Sequence, residues 1–264
     1  MDLGLQGRTG LVTGGSKGIG RAIAFALARE GVDVAICARG RDDLQRTAQE
    51  IQKATGRRCI PIAADLKQEQ ECRRFVEEAV HSLGRADILV CSANEPGGGT
   101  FFTLSDQQWT SHMNLKFFSV VRTTRAVVPY MQQQRWGRIV IIAGMSARAV
   151  RPHGIDNGPV CAALSNFGKQ LAQQVLRDGI RVNVLHPDIT RTPRWLARIQ
   201  REALLRGMSQ EELEREEARS LPLGRLLEPE EIAHLAVFLC SPLADAIAGQ
   251  SIAIDGGASL GIHY

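Results

Sequence analysis

The sequence predicts an α/β protein in which a single doubly wound parallel sheet is covered by helices on both faces. Three observations support this prediction. Short β-branched runs alternate along the chain with longer segments that carry apolar residues at helical spacing. The β-branched runs show little polar alternation, as expected for strands that are buried on both faces. No low-complexity linker or internal repeat divides the 264 residues, so we expect one domain over residues 1–264.

The predicted strands are, in chain order, GLVTGG, VDVAICA, CIPIAAD, ADILVCSA, GRIVIIAG, IRVNVLHP and QSIAIDGG. Helical patterns separate them, among them GIGRAIAFALAREG, DDLQRTAQEIQKATG, KQEQECRRFVEEAVHSLG and EEIAHLAVFLCSP. Parallel strands joined by right-handed helical crossovers give a three-layer α/β/α domain. Residues 191–219 interrupt this alternation with charged helical sequence. We expect this insertion to be a small helical substrate lid, because it leaves the edge of the sheet at which such folds bind ligands.

Composition and charge argue against several classes of function. The net charge of +4 comes from 32 basic and 28 acidic residues that are well mixed, which is not the basic footprint of a nucleic-acid-binding protein. No apolar run approaches the length of a membrane span, and the N-terminus lacks the apolar region of a signal peptide, so we expect a cytoplasmic protein. The six cysteines and six histidines are scattered, which argues against a disulfide framework or a metal site.

A glycine-rich motif, TGGSKGIG, follows the first predicted strand and opens the first predicted helix. Gly14, Gly18 and Gly20 would let the chain turn tightly and let backbone N–H groups reach a pyrophosphate at the positive end of that helix. A strand precedes the motif, and an amphipathic helix and a second strand follow it. The motif therefore predicts a Rossmann-type dinucleotide site.

The end of the second predicted strand favours NADP over NAD. An acidic residue at this place would bind the ribose 2′-hydroxyl of NAD, but the strand ends in CARGRDD, with Ala38 and Arg39 there instead. Arg39, together with Lys17 in the glycine motif, could pair with a 2′-phosphate.

With these motifs, the chain resembles the short-chain dehydrogenase/reductase (SDR) family, and within it the 3-oxoacyl-[acyl-carrier-protein] reductases. The resemblance covers nearly the whole chain and rests on TGGSKGIG, AADL, MNLK, GRIVIIAG, RVNVLHPDITRT, LGRLLEPEEIAHLAVFL and AGQSIAIDGG. It implies a small-molecule substrate and a homotetramer or homodimer. The cofactor contacts that it implies, together with those named above, are Gly14, Ser16, Lys17, Gly18, Ile19, Gly20, Arg39, Asp65, Leu66, Ala93, Pro187, Thr190 and Thr192.

Catalysis in this family depends on a tyrosine that protonates the carbonyl oxygen of the substrate while NADPH delivers hydride. A lysine four residues on lowers the pKa of that tyrosine, and an upstream serine donates a hydrogen bond to the same oxygen. Reduction of a ketone builds an alkoxide, which needs such positioned donors. An asparagine on the preceding helix holds the water of a proton relay, and Asn114 matches it.

The other three family positions carry different residues. The flanking motifs GRIV and KQLA align with the family pattern without a gap. Asn157 then takes the place of the tyrosine, Cys161 that of the lysine and Gly144 that of the serine. The sequence therefore predicts an atypical site without the Tyr-x-x-x-Lys motif.

Three hypotheses follow for this site. In the first, the protein is an oxidoreductase for a carbonyl, imine or activated alkene. Ser146 then donates to the substrate oxygen, His153 or Asp156 supplies a proton, and Asn157 forms hydrogen bonds without titrating. In the second, the protein binds the cofactor without redox activity, as a pseudoenzyme or regulator. In the third, it is a lyase or isomerase with Cys161 as the nucleophile.

Overall fold

The computed structural model describes residues 1–95, 97–150 and 154–260. Within this part of the chain, seven strands form one parallel sheet in the order β3-β2-β1-β4-β5-β6-β7. The strands are β1 (Thr9–Thr13), β2 (Asp33–Ala38), β3 (Cys59–Ala63), β4 (Ile88–Cys91), β5 (Gly137–Ile142), β6 (Ile180–Pro187) and β7 (Ser251–Ile254). Six strands lie within their predicted runs and β1 begins one residue before its run, so the predicted fold class is confirmed.

Helices cover both faces of this sheet. Their bounds are α1 (Gly18–Arg29), α2 (Arg41–Thr55), α3 (Glu69–Leu83), α4 (Asp106–Met113), α5 (Ser119–Gln134), α6 (Asn157–Val175), α7 (Pro193–Arg206), α8 (Gln210–Arg219) and α9 (Pro229–Cys240). Apolar side chains of α3, α5 and α6 pack on one face, and those of α1, α2 and α9 pack on the other. These three layers follow from the buried strand runs and the helical apolar spacing.

Local sequence explains where several helices begin and end. Ser105 and Gln108 form a reciprocal capping box at the start of α4. Gly56 and Gly84 end α2 and α3 in the left-handed conformation, which a glycine adopts without strain. A π-helical turn, Asn114–Phe118, joins α4 to α5, and such turns often occur at functional sites.

The insertion after β6 folds as the helices α7 and α8. Trp195, Ile199 and Ala203 of α7 pack with Leu213 of α8 and with Leu226 in a small apolar cluster of their own. Within the insertion, residues 193–206 and 210–219 are helical, and its role as a substrate lid stays a prediction.

The order of the strands places the candidate site at the carboxyl edge of the sheet. All the strands are parallel, but the direction in which successive strands are added to the sheet reverses between the neighbours β1 and β4, which opens a crevice where such sheets bind ligands. The turns after β1, β4, β5 and β6 all reach this edge. All six cysteines are buried and unpaired, and among the described helices none is long and apolar enough to cross a membrane.

Candidate active site

The turn after β1 can be built only with glycine at its key positions. Gly14 and Gly18 have φ of +66° and +55°, a left-handed backbone that other residues rarely adopt. A Cβ on Gly14 would lie 2.8 Å from the carbonyl oxygen of Ser92, and a Cβ on Gly20 would lie 2.3 Å from that of Gly14. The turn therefore packs backbone on backbone, which leaves its N–H groups accessible to a ligand.

The start of α1 fits an anionic group such as a pyrophosphate. Lys17 precedes the helix and makes no side-chain capping hydrogen bond, and the first helical turn carries no acidic residue. Orphan N–H groups at the positive end of a helix dipole form a ready anion site. Thr47 Oγ1 donates to the Ser16 carbonyl oxygen over 3.0 Å and so ties the turn to α2. The residues present thus fit a dinucleotide.

The expected 2′-phosphate contacts lie close to this turn. Arg39 is exposed directly after β2, and Lys17 forms an ion pair with Asp43 in the first turn of α2. The hydrogen bond from Lys17 is the main cause that holds the pKa of Asp43 below its ordinary value. Asp43 therefore stays charged and would compete with a 2′-phosphate for Lys17. Among the described residues, Asp43 forms no ion pair with Arg39.

The other candidate cofactor residues lie along the same edge of the sheet. Asp65 and Leu66 follow β3, Ala93 follows β4, Pro187 ends β6, Thr190 and Thr192 lie between β6 and α7, and Ile19 lies in the first turn of α1. Thr192 caps α7 by accepting from the Trp195 N–H. A Cβ on Gly18 would lie 3.2 Å from the Thr192 methyl carbon, so the start of α7 lies against the glycine turn.

A cluster of polar side chains surrounds Asn157, the first residue of α6. The Asn157 amide Nδ2 donates to Ser146 Oγ over 2.7 Å, and its Oδ1 accepts from Lys116 Nζ over 2.7 Å. One turn later, the Cys161 thiol donates to the same oxygen over 3.6 Å. The structure thus brings together three candidates from the sequence, Asn157, Ser146 and Cys161, and adds Lys116.

Ser146, and not residue 144, supplies the hydroxyl of this cluster. It lies in a short 3-10 turn, Met145–Ala147, directly after β5. Because its oxygen accepts from Asn157, its own proton remains available for a substrate. Gly144 has φ of +155°, a conformation that favours glycine, although a Cβ there would meet its nearest neighbour, Cys161 Sγ, at an ordinary 3.5 Å.

Lys116 is the residue that sequence reasoning missed. It lies in the π-helical turn and is 3% exposed, and among the described residues no carboxylate forms an ion pair with it. Burial lowers the pKa of its ammonium, while Cys161 opposes this effect. A lysine within the apolar run LKFF was the available signal. Its partner is 41 residues away in the chain, so spacing alone could not reveal the contact.

A second buried pair adjoins the cluster. His112 Nδ1 lies 3.2 Å from Asp156 Oδ2, and both side chains are 4% exposed. The other polar atoms of the pair, His112 Nε2 and Asp156 Oδ1, have no hydrogen-bond partner among the described residues. Burial lowers the pKa of His112, and Asp156 opposes this effect. Asp156 directly precedes α6 but makes no capping hydrogen bond, so its role in the structure is to partner His112.

Asn114 and His153 are the two remaining candidates for catalytic residues. Asn114 starts the π-helical turn and borders a cavity of about 630 Å³. Lys67, Ser111 and Arg122 line this cavity with it, whereas Asn157 does not. His153 lies outside the described residues.

Comparison with known proteins covers nearly the full chain. Residues 14–259 match a family model described as enoyl-(acyl carrier protein) reductase. Oxidoreductase UcpA of Salmonella typhimurium is 32% identical over 260 residues, which are 97% of this chain and 96% of that protein. The 3-oxoacyl-[acyl-carrier-protein] reductase FabG of Aquifex aeolicus is 30% identical over 257 residues, covering 97% and 99%.

A solved structure shows the same architecture. The L-sorbose reductase of Gluconobacter frateurii, complexed with NADPH and L-sorbose, superposes with a TM-score of 0.96 at 32% identity. The match covers 99% of this chain and 100% of that one.

Proposed function

Because this chain belongs to the short-chain dehydrogenase/reductase family, we propose that it is an NADP-dependent oxidoreductase with a non-standard catalytic site. Its substrate would be a small carbonyl, imine or activated alkene. When bound, the reduced nicotinamide supplies a hydride. The residues of this chain bind the nucleotide, orient the substrate and supply the proton.

The nucleotide end of the site supports NADP as the cofactor. The uncapped start of α1 suits a pyrophosphate, and Arg39 stands where NAD-binding proteins place an acid. The L-sorbose reductase, similar in fold over nearly the full chain, carries NADPH in its structure. Asp65, at the end of β3, would lie beside the adenine.

One observation carries the proposal. At the place of the family tyrosine and lysine, the chain holds a connected set of polar groups, with the Ser146 hydroxyl and the Lys116 ammonium on either side of Asn157. A protein that had kept only nucleotide binding would have no need to bury an ammonium there, since burial of an unpaired charge costs stability. The set instead suits an oxygen that becomes negatively charged during reduction.

The lyase or isomerase alternative gains less support. Cys161 is 0% exposed, and its thiol donates to Asn157 Oδ1. A nucleophilic cysteine has to be an accessible thiolate. This cysteine is buried and acts as a donor, so it fits a packing role better than nucleophilic catalysis.

The helices α7 and α8 would cover the substrate. Arg194 of α7 donates to the Glu95 carbonyl oxygen over 3.3 Å and so links the insertion to the loop after β4. Trp195 and Arg198 both bind Glu217 of α8, which holds the two helices together as a unit. We propose that this unit forms a lid over the substrate.

The test of this function has two stages. NADPH and NADH are titrated by fluorescence against the full-length protein. NADPH absorbance is then followed with L-sorbose, an acetoacetyl thioester, a cyclic imine and an enone. We expect NADPH to bind more tightly than NADH and at least one substrate to be reduced. A protein that bound neither NADPH nor NADH would contradict any redox function.

Arg39→Ser should reduce the preference for NADPH. A hydrogen bond to a charged group contributes about 1.5–3 kcal/mol, so the Kd for NADPH should rise about 10- to 100-fold while that for NADH stays nearly constant. Fluorescence titration of both nucleotides measures the ratio. Arg29→Ser, at the far end of α1, is the matched control and should leave both values unchanged. An equal loss for both nucleotides would show that Arg39 does not contact the 2′-phosphate.

Restoring the family residues should work only if Lys116 is removed as well. Asn157→Tyr with Cys161→Lys puts a second ammonium beside Lys116, because both side chains already contact the same Asn157 oxygen. We expect that double variant to lose stability in thermal unfolding. Adding Lys116→Thr should recover the stability and give ketone reduction through the new tyrosine. Residue 144 is left unchanged, since Ser146 supplies the hydroxyl. A double variant as stable as the wild type would contradict the placement of Lys116.

A further inference from the structure

We propose that Lys116 is the proton donor of this enzyme and that its ammonium protonates the carbonyl oxygen of the substrate. This inference rests on the proposed reductase function and deepens it. It assigns the acid role to a residue of the π-helical turn between α4 and α5, not to α6, where the resemblance places the family tyrosine and lysine.

The position of the ammonium supports this role. Asn157 takes the place of the tyrosine, but its side chain is shorter by most of an aromatic ring and a hydroxyl. Lys116 Nζ lies 2.7 Å from the tip of that shorter side chain. An ammonium has three N–H donors, and Asn157 Oδ1 accepts one of them. Cys161 is a hydrogen-bond partner for a second, so the third can turn to a substrate oxygen that the Ser146 hydroxyl would also contact.

Burial of Lys116 argues against a purely structural role. Its chain neighbours Leu115 and Phe117 both pack in the apolar core. An apolar residue at 116 would satisfy that packing without burying a charge, which is costly unless the charge is paired. Helix α6 contributes no ion-pair partner, because Asp156 is held by His112.

The titratable groups around Lys116 come from four elements. Cys161 and Asp156 lie at or near the start of α6, His112 is in α4, Arg194 is in α7 and His186 is in β6. Burial lowers the pKa of the ammonium, and the charge of Arg194 acts in the same direction, while Cys161 and Asp156 oppose them. An ammonium of lowered pKa is a stronger acid, which suits proton donation near neutral pH.

The proton and electrons balance in this assignment. As the carbonyl carbon receives a hydride, its π-bond pair moves onto the oxygen, and a proton leaves Lys116 Nζ to form the O–H bond. Lys116 becomes a neutral amine and regains a proton from solvent. An iminium substrate needs no such proton on its nitrogen, so the assignment favours aldehydes and ketones among the proposed substrates.

The first test measures the acidity of Lys116 in the ligand-free protein. The chain has only five lysines, so protein grown with ¹³Cε-lysine gives few NMR signals, and the signal absent from Lys116→Met identifies this one. We expect its titration midpoint to lie below 10.5, the ordinary value for lysine. A midpoint at or above 10.5 would overturn the proposal.

The second test is chemical rescue. Lys116→Ala should lower kcat for L-sorbose or an acetoacetyl thioester about 10²- to 10⁴-fold with little change in KM. Added methylamine should restore part of kcat in proportion to its concentration, which a structural role would not predict. Lys169→Ala, exposed on α6, is the control and should behave like the wild type.

The outcomes separate the two proposals. If the wild type turns over either carbonyl compound and Lys116→Ala does so equally well, or is impaired without amine rescue, the assignment of Lys116 as donor is wrong. If the wild type binds NADPH but reduces neither compound, the proposed carbonyl reduction is wrong. The assignment of Lys116 is then wrong as well, because it rests on that reaction.

Discussion

Gly20→Ala is expected to abolish tight NADPH binding and to destabilise the protein. The added methyl group would lie 2.3 Å from the Gly14 carbonyl oxygen, and Gly14 cannot retreat because it already packs against the Ser92 backbone. Overpacking of this kind costs about 1–3 kcal/mol of unfolding free energy. The displaced turn would also lose N–H contacts to the nucleotide. Loss of two such charge-assisted bonds, at about 1.5 kcal/mol each, raises the Kd at least about 100-fold.

Denaturant unfolding and NADPH titration measure these two effects. Gly40→Ala provides the matched control, because Gly40 has an ordinary φ of −78° and a Cβ there would meet nothing within 4 Å. We expect the control to bind and unfold like the wild type. A Gly20→Ala protein that bound NADPH with wild-type affinity would show that the turn after β1 is not the nucleotide site.

Lys116→Met is expected to stabilise the fold while it removes activity. The ammonium is buried without an ion-pair partner among the described residues, and methionine has a similar length without the charge. Replacing buried ion pairs by well-packed apolar residues is often neutral or stabilising, by up to about 4 kcal/mol, and burying an ammonium without an ion-pair partner is costlier still. At about 2–4 °C per kcal/mol for a protein of this size, the melting temperature should rise by several degrees.

This stabilisation should depend on pH in a definite direction. The pKa of Lys116 is lower in the folded protein than its ordinary value of 10.5, so the unfolded state binds the proton more tightly. Wild-type stability therefore gains with pH between the lowered pKa and 10.5, as the folded state sheds the buried charge. The advantage of Lys116→Met should be largest below the lowered pKa and shrink as the pH rises toward 10.5. Thermal unfolding of both proteins at several pH values tests this, and a constant difference would mean that Lys116 is not a buried cation.

The fold could be predicted because its signals are local. Each strand is a short apolar run such as GRIVIIAG, and the segments between strands carry apolar residues at helical spacing. The sequence therefore indicates both the secondary-structure elements and the parallel sheet. Even the insertion that became α7 and α8 has a visible helical pattern. The packing of those two helices into a separate apolar cluster around Trp195 could not be predicted from the sequence, because it depends on contacts between distant segments.

The site could be predicted only in part, for the same reason. Gap-free flanks on one segment predict that Asn157 and Cys161 take the family positions, and Ser146 lies close enough in sequence to be a candidate. Lys116 contacts Asn157 across 41 residues, and His112 meets Asp156 across a similar separation. Such pairs form where the sheet brings two connections together, which spacing within one helix does not encode.

The measurement that bears most directly on this account is NADPH oxidation with a carbonyl substrate, compared between the wild type and Lys116→Ala with and without methylamine. We predict steady oxidation by the wild type, loss of about 10²- to 10⁴-fold in the variant, and partial recovery with the amine. Equal rates in the two proteins, or no oxidation by a wild-type protein that binds NADPH, would contradict a reductase that uses the Lys116 ammonium in place of a tyrosine.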